Sequence, residues 1–139
     1  MRNLLILFLT ASLFFSCNNG NDCEGFDLDK EFEIANNETL QNCPKNISVT
    51  LLDIQDSRCP AGVNCIWAGM IVIEGQLKID GKNTDFQLST NENASGFPQE
   101  FSTSEYTVNL IDAFPYPDLN NPQKPEEKRA IFVISKRST

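Results

Sequence analysis

Five cysteines, no histidine and 19 aspartates plus glutamates set the chemistry open to this chain. The run from Asp56 to Gly69, Asp-Ser-Arg-Cys-Pro-Ala-Gly-Val-Asn-Cys-Ile-Trp-Ala-Gly, is the densest part. It holds two cysteines, the only tryptophan and an acid–base pair. Lack of histidine removes Ser-His and Cys-His catalysis and the commonest zinc and copper ligand. The cysteine spacings are not the paired CxxC of a structural zinc site. Five residues separate Cys59 from Cys65, where a redox pair usually has two, and Arg58 is the one basic neighbour. Two carboxylate readings remain. Asp112, Asp118, Asn120, Glu126 and Glu127 could gather round calcium, but their order lacks the dense Asp/Asn/Gly loop pattern. Asp53 and Asp56 could flank a glycosidic bond, yet paired carboxylates are commonplace in an acidic chain. No catalytic residue, metal or cofactor is therefore nominated, and the chain is read as a non-enzyme.

Three residues of the dense run are candidate binding residues: Asp56, Arg58 and Trp67. For each a plainer role is expected. Short polar side chains at turns usually serve the backbone, so Asp56 should accept N–H bonds and Arg58 should bond carbonyls or Asp56. A lone tryptophan beside a cysteine and at a strand start is expected in the core; a sugar-stacking platform is the alternative.

The elements that must position these residues are strands. Glu31–Ala35, Ile47–Gln55, Met70–Ile79, Thr84–Leu88, Tyr106–Phe114 and Arg129–Ser135 alternate or run apolar between turn residues. The phase slips at Leu51-Leu52, which predicts a bulge or double-sided burial. Gly75 on the apolar face of its strand predicts a bulge or close packing. Asp80-Gly81 suits a two-residue hairpin of the primed type. Residues 89–104 read as a loop whose Phe97 and Phe101 cap the core. No helix is expected. The predicted fold is all-β, an antiparallel sandwich or partly open barrel of about six to seven strands with Greek-key-like connections.

Ahead of this domain, Arg2 precedes the apolar run Leu4 to Phe15, too short to span a bilayer but suited to a signal peptide. Leu13-Phe14-Phe15-Ser16-Cys17 then resembles the lipobox of bacterial lipoproteins through Leu13, Ser16 and Cys17. The resemblance implies cleavage before Cys17, a diacylglyceryl thioether on its sulfur and an acyl group (typically palmitate) on its amine. Asn18 in place of Asp, by the same resemblance, favours the outer membrane, facing either the periplasm or the surface. Residues 1–16 are thus expected to be a signal peptide, 17–25 the lipidated cysteine with a flexible tether, and 26–139 a single β-domain. Loss of Arg2 takes the formal charge from −8 to −9. No basic cluster offsets it, so nucleic acid is not an expected partner.

With Cys17 taken by lipid, four cysteines remain in an oxidising compartment, which suggests two disulfides. Of three connectivities, Cys59–Cys65 with Cys23–Cys43 is expected. Pro60 and Gly62 would bend the shorter loop back. On a chain-entropy basis the two loops contribute about 2.4 and 3.3 kcal/mol.

The Asp56–Gly69 motif also resembles that of small uncharacterised lipoproteins of Gram-negative bacteria, as does the Pro115-Tyr116-Pro117 ending before a last strand. That resemblance implies a lipoprotein, a β-fold and the Cys59–Cys65 pair; it brings no reaction. The expected function is a monomeric, lipid-anchored envelope module that binds or scaffolds an envelope protein or glycan. An inhibitor or ligand-binding protein presenting the disulfide loop is the alternative, and a carboxylate-dependent hydrolase the third reading.

Overall fold

The computed structural model describes residues 25–138. The expected signal peptide, the expected lipidation site Cys17 and Cys23 lie outside the described residues. Eight strands appear among those described: β1 Glu31–Ala35, β2 Thr39–Asn42, β3 Ile47–Asp56, β4 Ile71–Ile79, β5 Lys82–Ser89, β6 Glu100–Ser102, β7 Tyr106–Phe114 and β8 Arg129–Lys136. They form two antiparallel four-stranded sheets, ordered β1-β8-β7-β6 and β2-β3-β4-β5. The all-β sandwich agrees with the sequence expectation.

The connections do not. Every strand pairs with a chain neighbour, apart from β1, which pairs with β8. The path is a meander that crosses between sheets at β1–β2 and β5–β6, not a Greek key. Short turns make neighbour pairing cheap in loop-closure entropy, and nothing in this chain forces a strand to be skipped. Two strands are additional to those expected. β2 and β6 are four and three residues long, each with one large apolar side chain, Leu40 and Phe101. So short an alternation leaves no readable period. Short edge strands like these also limit edge-to-edge association. A four-residue helical turn, α1 at Glu92–Ser95, interrupts the 89–104 loop where no helix was expected; the side chain of Asn91 caps it.

Alternation fills the space between the sheets. Ile47, Val49, Leu51, Ile71, Ile73 and Leu77 from one sheet meet Val108, Leu110, Phe132 and Ile134 from the other, all fully buried. Phe86 stacks on Phe101 with centroids 5.4 Å apart and meets Phe132 edge-on. Phe101 therefore packs on the core as expected. Gly75 is the position where a side chain has no room: a Cβ there would overlap the ring of Phe86. Close packing accounts for that glycine, which also pairs with Leu51 at the edge of a bulge in β3.

The predicted slip in β3 is a bulge between Leu51 and Asp53 that turns Leu52 outward. An unforeseen twin lies in β7, between Leu110 and Asp112, and turns Ile111 outward. The Asp80-Gly81 hairpin has both central residues at positive φ, the type I′ geometry that matches strand twist.

Strand directions sort the connections by length, apart from the three-residue β1–β2 crossing, 36–38, which leaves β1 beside the start of β8. Residues 43–46, 80–81 and 103–105 make tight turns at one end, where the described chain also enters at Gly25 beside Asn42 and Cys43. Residues 57–70, 90–99 and 115–128 crowd the opposite end. The dense sequence motif therefore sits at the loop-bearing end, about one strand length (~33 Å for ten residues) from the chain's entry.

Candidate functional site: the loop-bearing end

Asp56 closes β3 with a side chain only 1% exposed. A carboxylate so buried must be compensated. Arg58 supplies the compensation. Its Nε donates to Oδ1 at 2.9 Å, its Nη2 to Oδ2 at 2.8 Å, and its backbone N–H to Oδ1 at 3.1 Å. The remaining Nη1 donates to Asp112 Oδ1 at 3.0 Å, on β7 of the other sheet. The guanidinium lies 4.6 Å over the ring of Tyr116, and Lys128 Nζ stands 3.9 Å from Asp56. Burial disfavours the Arg58 charge, but the hydrogen bonds and charge of Asp56 and the charge of Asp112 outweigh it and raise its pKa. One planar fork thus ties both sheets to the base of the long loop. Asp56 and Arg58 do brace the corner, as the sequence suggested.

The loop above this brace continues the β3–β4 ladder. Ser57 N donates to Met70 O at 2.9 Å and Cys59 N to Ala68 O at 3.1 Å. Gly69 permits this approach: it sits at φ 71°, and any Cβ would overlap Ser57 O. The Cys59–Cys65 disulfide is present, with Cα atoms 5.8 Å apart. Cys43 is also disulfide-bonded, while its expected partner, Cys23, lies outside the described residues. Ala61 N donates to Pro117 O at 2.9 Å, docking the disulfide loop against the segment beyond the cis Phe114–Pro115 bond.

Trp67 is not in the core. It is 80% exposed and Ile66 is 96% exposed. The core expectation failed because strand residues already fill the sandwich, whereas residues 59–65 are closed on themselves and carry Ile66 and Trp67 outward. Val63, Tyr116 and Leu119 are exposed at the same end. An open groove of about 590 Å³ runs between Ile66, Trp67 and Met70 on one side and Asn91 and Ala94 on the other. A smaller one of about 190 Å³ lies among Pro60, Pro115, Pro117, Leu119 and Lys128.

Most of the carboxylates weighed for metal or hydrolysis are taken up by hydrogen bonds to neighbours. Asp112 is engaged by Arg58, Asp118 Oδ1 accepts from Asn120 N at 2.9 Å, and Glu127 Oε2 accepts from Lys124 N at 3.1 Å. Asp53 accepts from Gln55, and Asp56 is held by Arg58. Among the described residues no three His, Cys, Asp or Glu are placed to hold a metal ion. Sequence reasoning did not foresee Tyr116, Lys128 or Ile66 at this end. The Pro-Tyr-Pro run was the one signal for Tyr116, because flanking prolines hold an aromatic on a turn. Comparison with protein-family models, with curated proteins and with solved structures finds no match.

Proposed function

We propose that this protein is a non-enzymatic module, tethered to the bacterial outer membrane through Cys17, that presents its loop-bearing end to an envelope partner. The observation that carries this reading is the separation of the two ends. The described chain enters among the tight turns, and the exposed apolar side chains of the long loops lie opposite. A lipid at the N-terminal end would leave those side chains pointing away from the anchoring bilayer. Binding, rather than turnover, accords with a rigid corner whose buried acid is already committed to Arg58 and Lys128. The lipobox at Leu13–Cys17 is the basis for the anchor and for export to an oxidising compartment.

An inhibitor or ligand-binding protein that presents the disulfide loop itself is a second reading. It is favoured by Val63, 40% exposed within the closed ring. Affinity capture from envelope extracts tests both. Val63→Ser with Leu119→Ser should abolish recovery of one specific partner, and Lys45→Ser with Lys82→Ser at the tight-turn end should leave it unchanged. The opposite pattern contradicts the proposal. Loss with Val63→Ser alone selects the inhibitor-like reading.

A further inference from the structure

We infer that the groove between Ile66–Trp67 and α1 docks an uncharged, apolar segment of a second protein. The inference rests on the loop-display reading above and names its partner class.

The groove is built for apolar matter. Its walls are Ile66, Trp67, Ala68, Met70 and Ala94. Ser57 and the oxygen of Asn91, the polar side chains beside them, are already engaged, which leaves the Asn91 amide N–H groups and the Trp67 indole N–H as side-chain donors. Ser57 Oγ donates to Met70 O and accepts from Met70 N, and Asn91 Oδ1 accepts from Ala94 N. A glycan would need several donors and acceptors to meet its hydroxyls, and beyond those N–H groups the wall side chains are apolar.

Charge points the same way. In a chain that is 22% charged, the twelve residues 59–70 carry no charge at all. The three loop segments 57–70, 90–99 and 115–128 together carry three cations and four anions, while the whole chain stands at −8. Depletion of charge around aromatic and methionine side chains is the signature of a protein–protein interface core. The net negative charge opposes a second copy of this chain and an anionic bilayer as occupants. Nor can the chain's own tether serve. Residues 17–24 reach at most about 28 Å, and the sandwich lies between their exit and the groove.

The groove is also held ready before binding. The disulfide, the Ser57–Met70 and Cys59–Ala68 hydrogen bonds and the Arg58 fork fix the backbone that carries Ile66 and Trp67. Little ordering cost is left for association. Glu92, exposed on α1 between the lining residues Asn91 and Ala94, would favour basic residues flanking the apolar segment.

A photo-crosslinking phenylalanine analogue placed at 67, 91, 119 or 45 in the full-length lipoprotein, in the cells it comes from, tests this. The expected result is an adduct from 67 and from 91 that maps to one apolar segment of one protein. Ile66→Ser should reduce it about tenfold. Because Ile66 is 96% exposed, that variant should keep its melting temperature, which is measured alongside. A synthetic peptide of the mapped segment should shift the Trp67 emission to shorter wavelength. Adducts to lipid, to glycan or to a second copy overturn the inference, as do protein adducts that Ile66→Ser leaves undiminished. Adducts from 119 without any from 67 or 91 overturn the groove and leave the display reading standing. Absence of adducts from every loop-end position overturns both.

Discussion

Arg58 carries more of this molecule than any other single side chain. Its fork reaches Asp56 in one sheet and Asp112 in the other, and its face covers Tyr116. The two acids should respond differently to its loss. Asp56 is 1% exposed, so Arg58→Ala leaves a buried carboxylate with one backbone N–H bond and the longer contact to Lys128 and should cost about 3 kcal/mol in urea unfolding. Asp112 is 57% exposed, and Asp112→Asn should cost less than about 1 kcal/mol. Tyr106 gives a separate test. Burial, then the charges of Glu105 and Asp80, raise its pKa above the usual tyrosine value. The folded state therefore holds that proton more tightly than the unfolded chain. Stability from this source is complete below about pH 10 and is lost as pH rises through the folded pKa. Urea titrations between pH 9 and 11 should show the decline, and Tyr106→Phe should flatten it. At this scale the Asp56–Arg58 pair was legible because the two residues are neighbours in sequence. Asp112, 54 positions from Arg58, was not, since single-chain pattern carries no information on which distant strands face each other.

Among the elements, those with long alternation were readable and those without were not. β4 shows its inward face over nine residues, and the one anomaly there, Gly75, is explained by the ring of Phe86. Gly75→Ala should destabilise by about 1–3 kcal/mol, and Phe86→Leu in the same chain should recover part of that loss. β2 and β6 were hidden by their brevity, and the β7 bulge by the apolar run Leu110-Ile111, which reads equally well in either phase. The corner between β3 and β4 depends on Gly69, where both the positive φ and the carbonyl of Ser57 exclude a side chain. Gly69→Ala should therefore cost more than about 2 kcal/mol by thermal melting. Trp67 was misjudged for an element-level reason: an aromatic was credited to the core without asking whether a closed loop could reach it.

Taken whole, the molecule has two unlike ends. Tight turns and the chain's entry occupy one; long loops with exposed apolar side chains, braced by a disulfide and an arginine fork, occupy the other. The meander produces this polarity directly. Each sheet is wound from hairpins whose short connections fall on one side, so the long segments collect opposite. All-β character could be read from pattern. The polarity could not, because it depends on strand direction and on the exposure of Ile66 and Trp67. The proposed anchor has its own test: Cys17→Ala should abolish incorporation of labelled palmitate that the wild type is expected to show.

The most direct measurement uses the chain's single tryptophan. Acylated protein is reconstituted in anionic vesicles, and Trp67 emission is followed with a water-borne quencher, acrylamide, and with brominated lipid. On the proposed reading, an end about one strand length from the chain's entry should be quenched by acrylamide as freely as in solution and left untouched by the lipid. Strong quenching by brominated lipid would place the apolar loops on the bilayer and contradict a body that presents them away from its anchor.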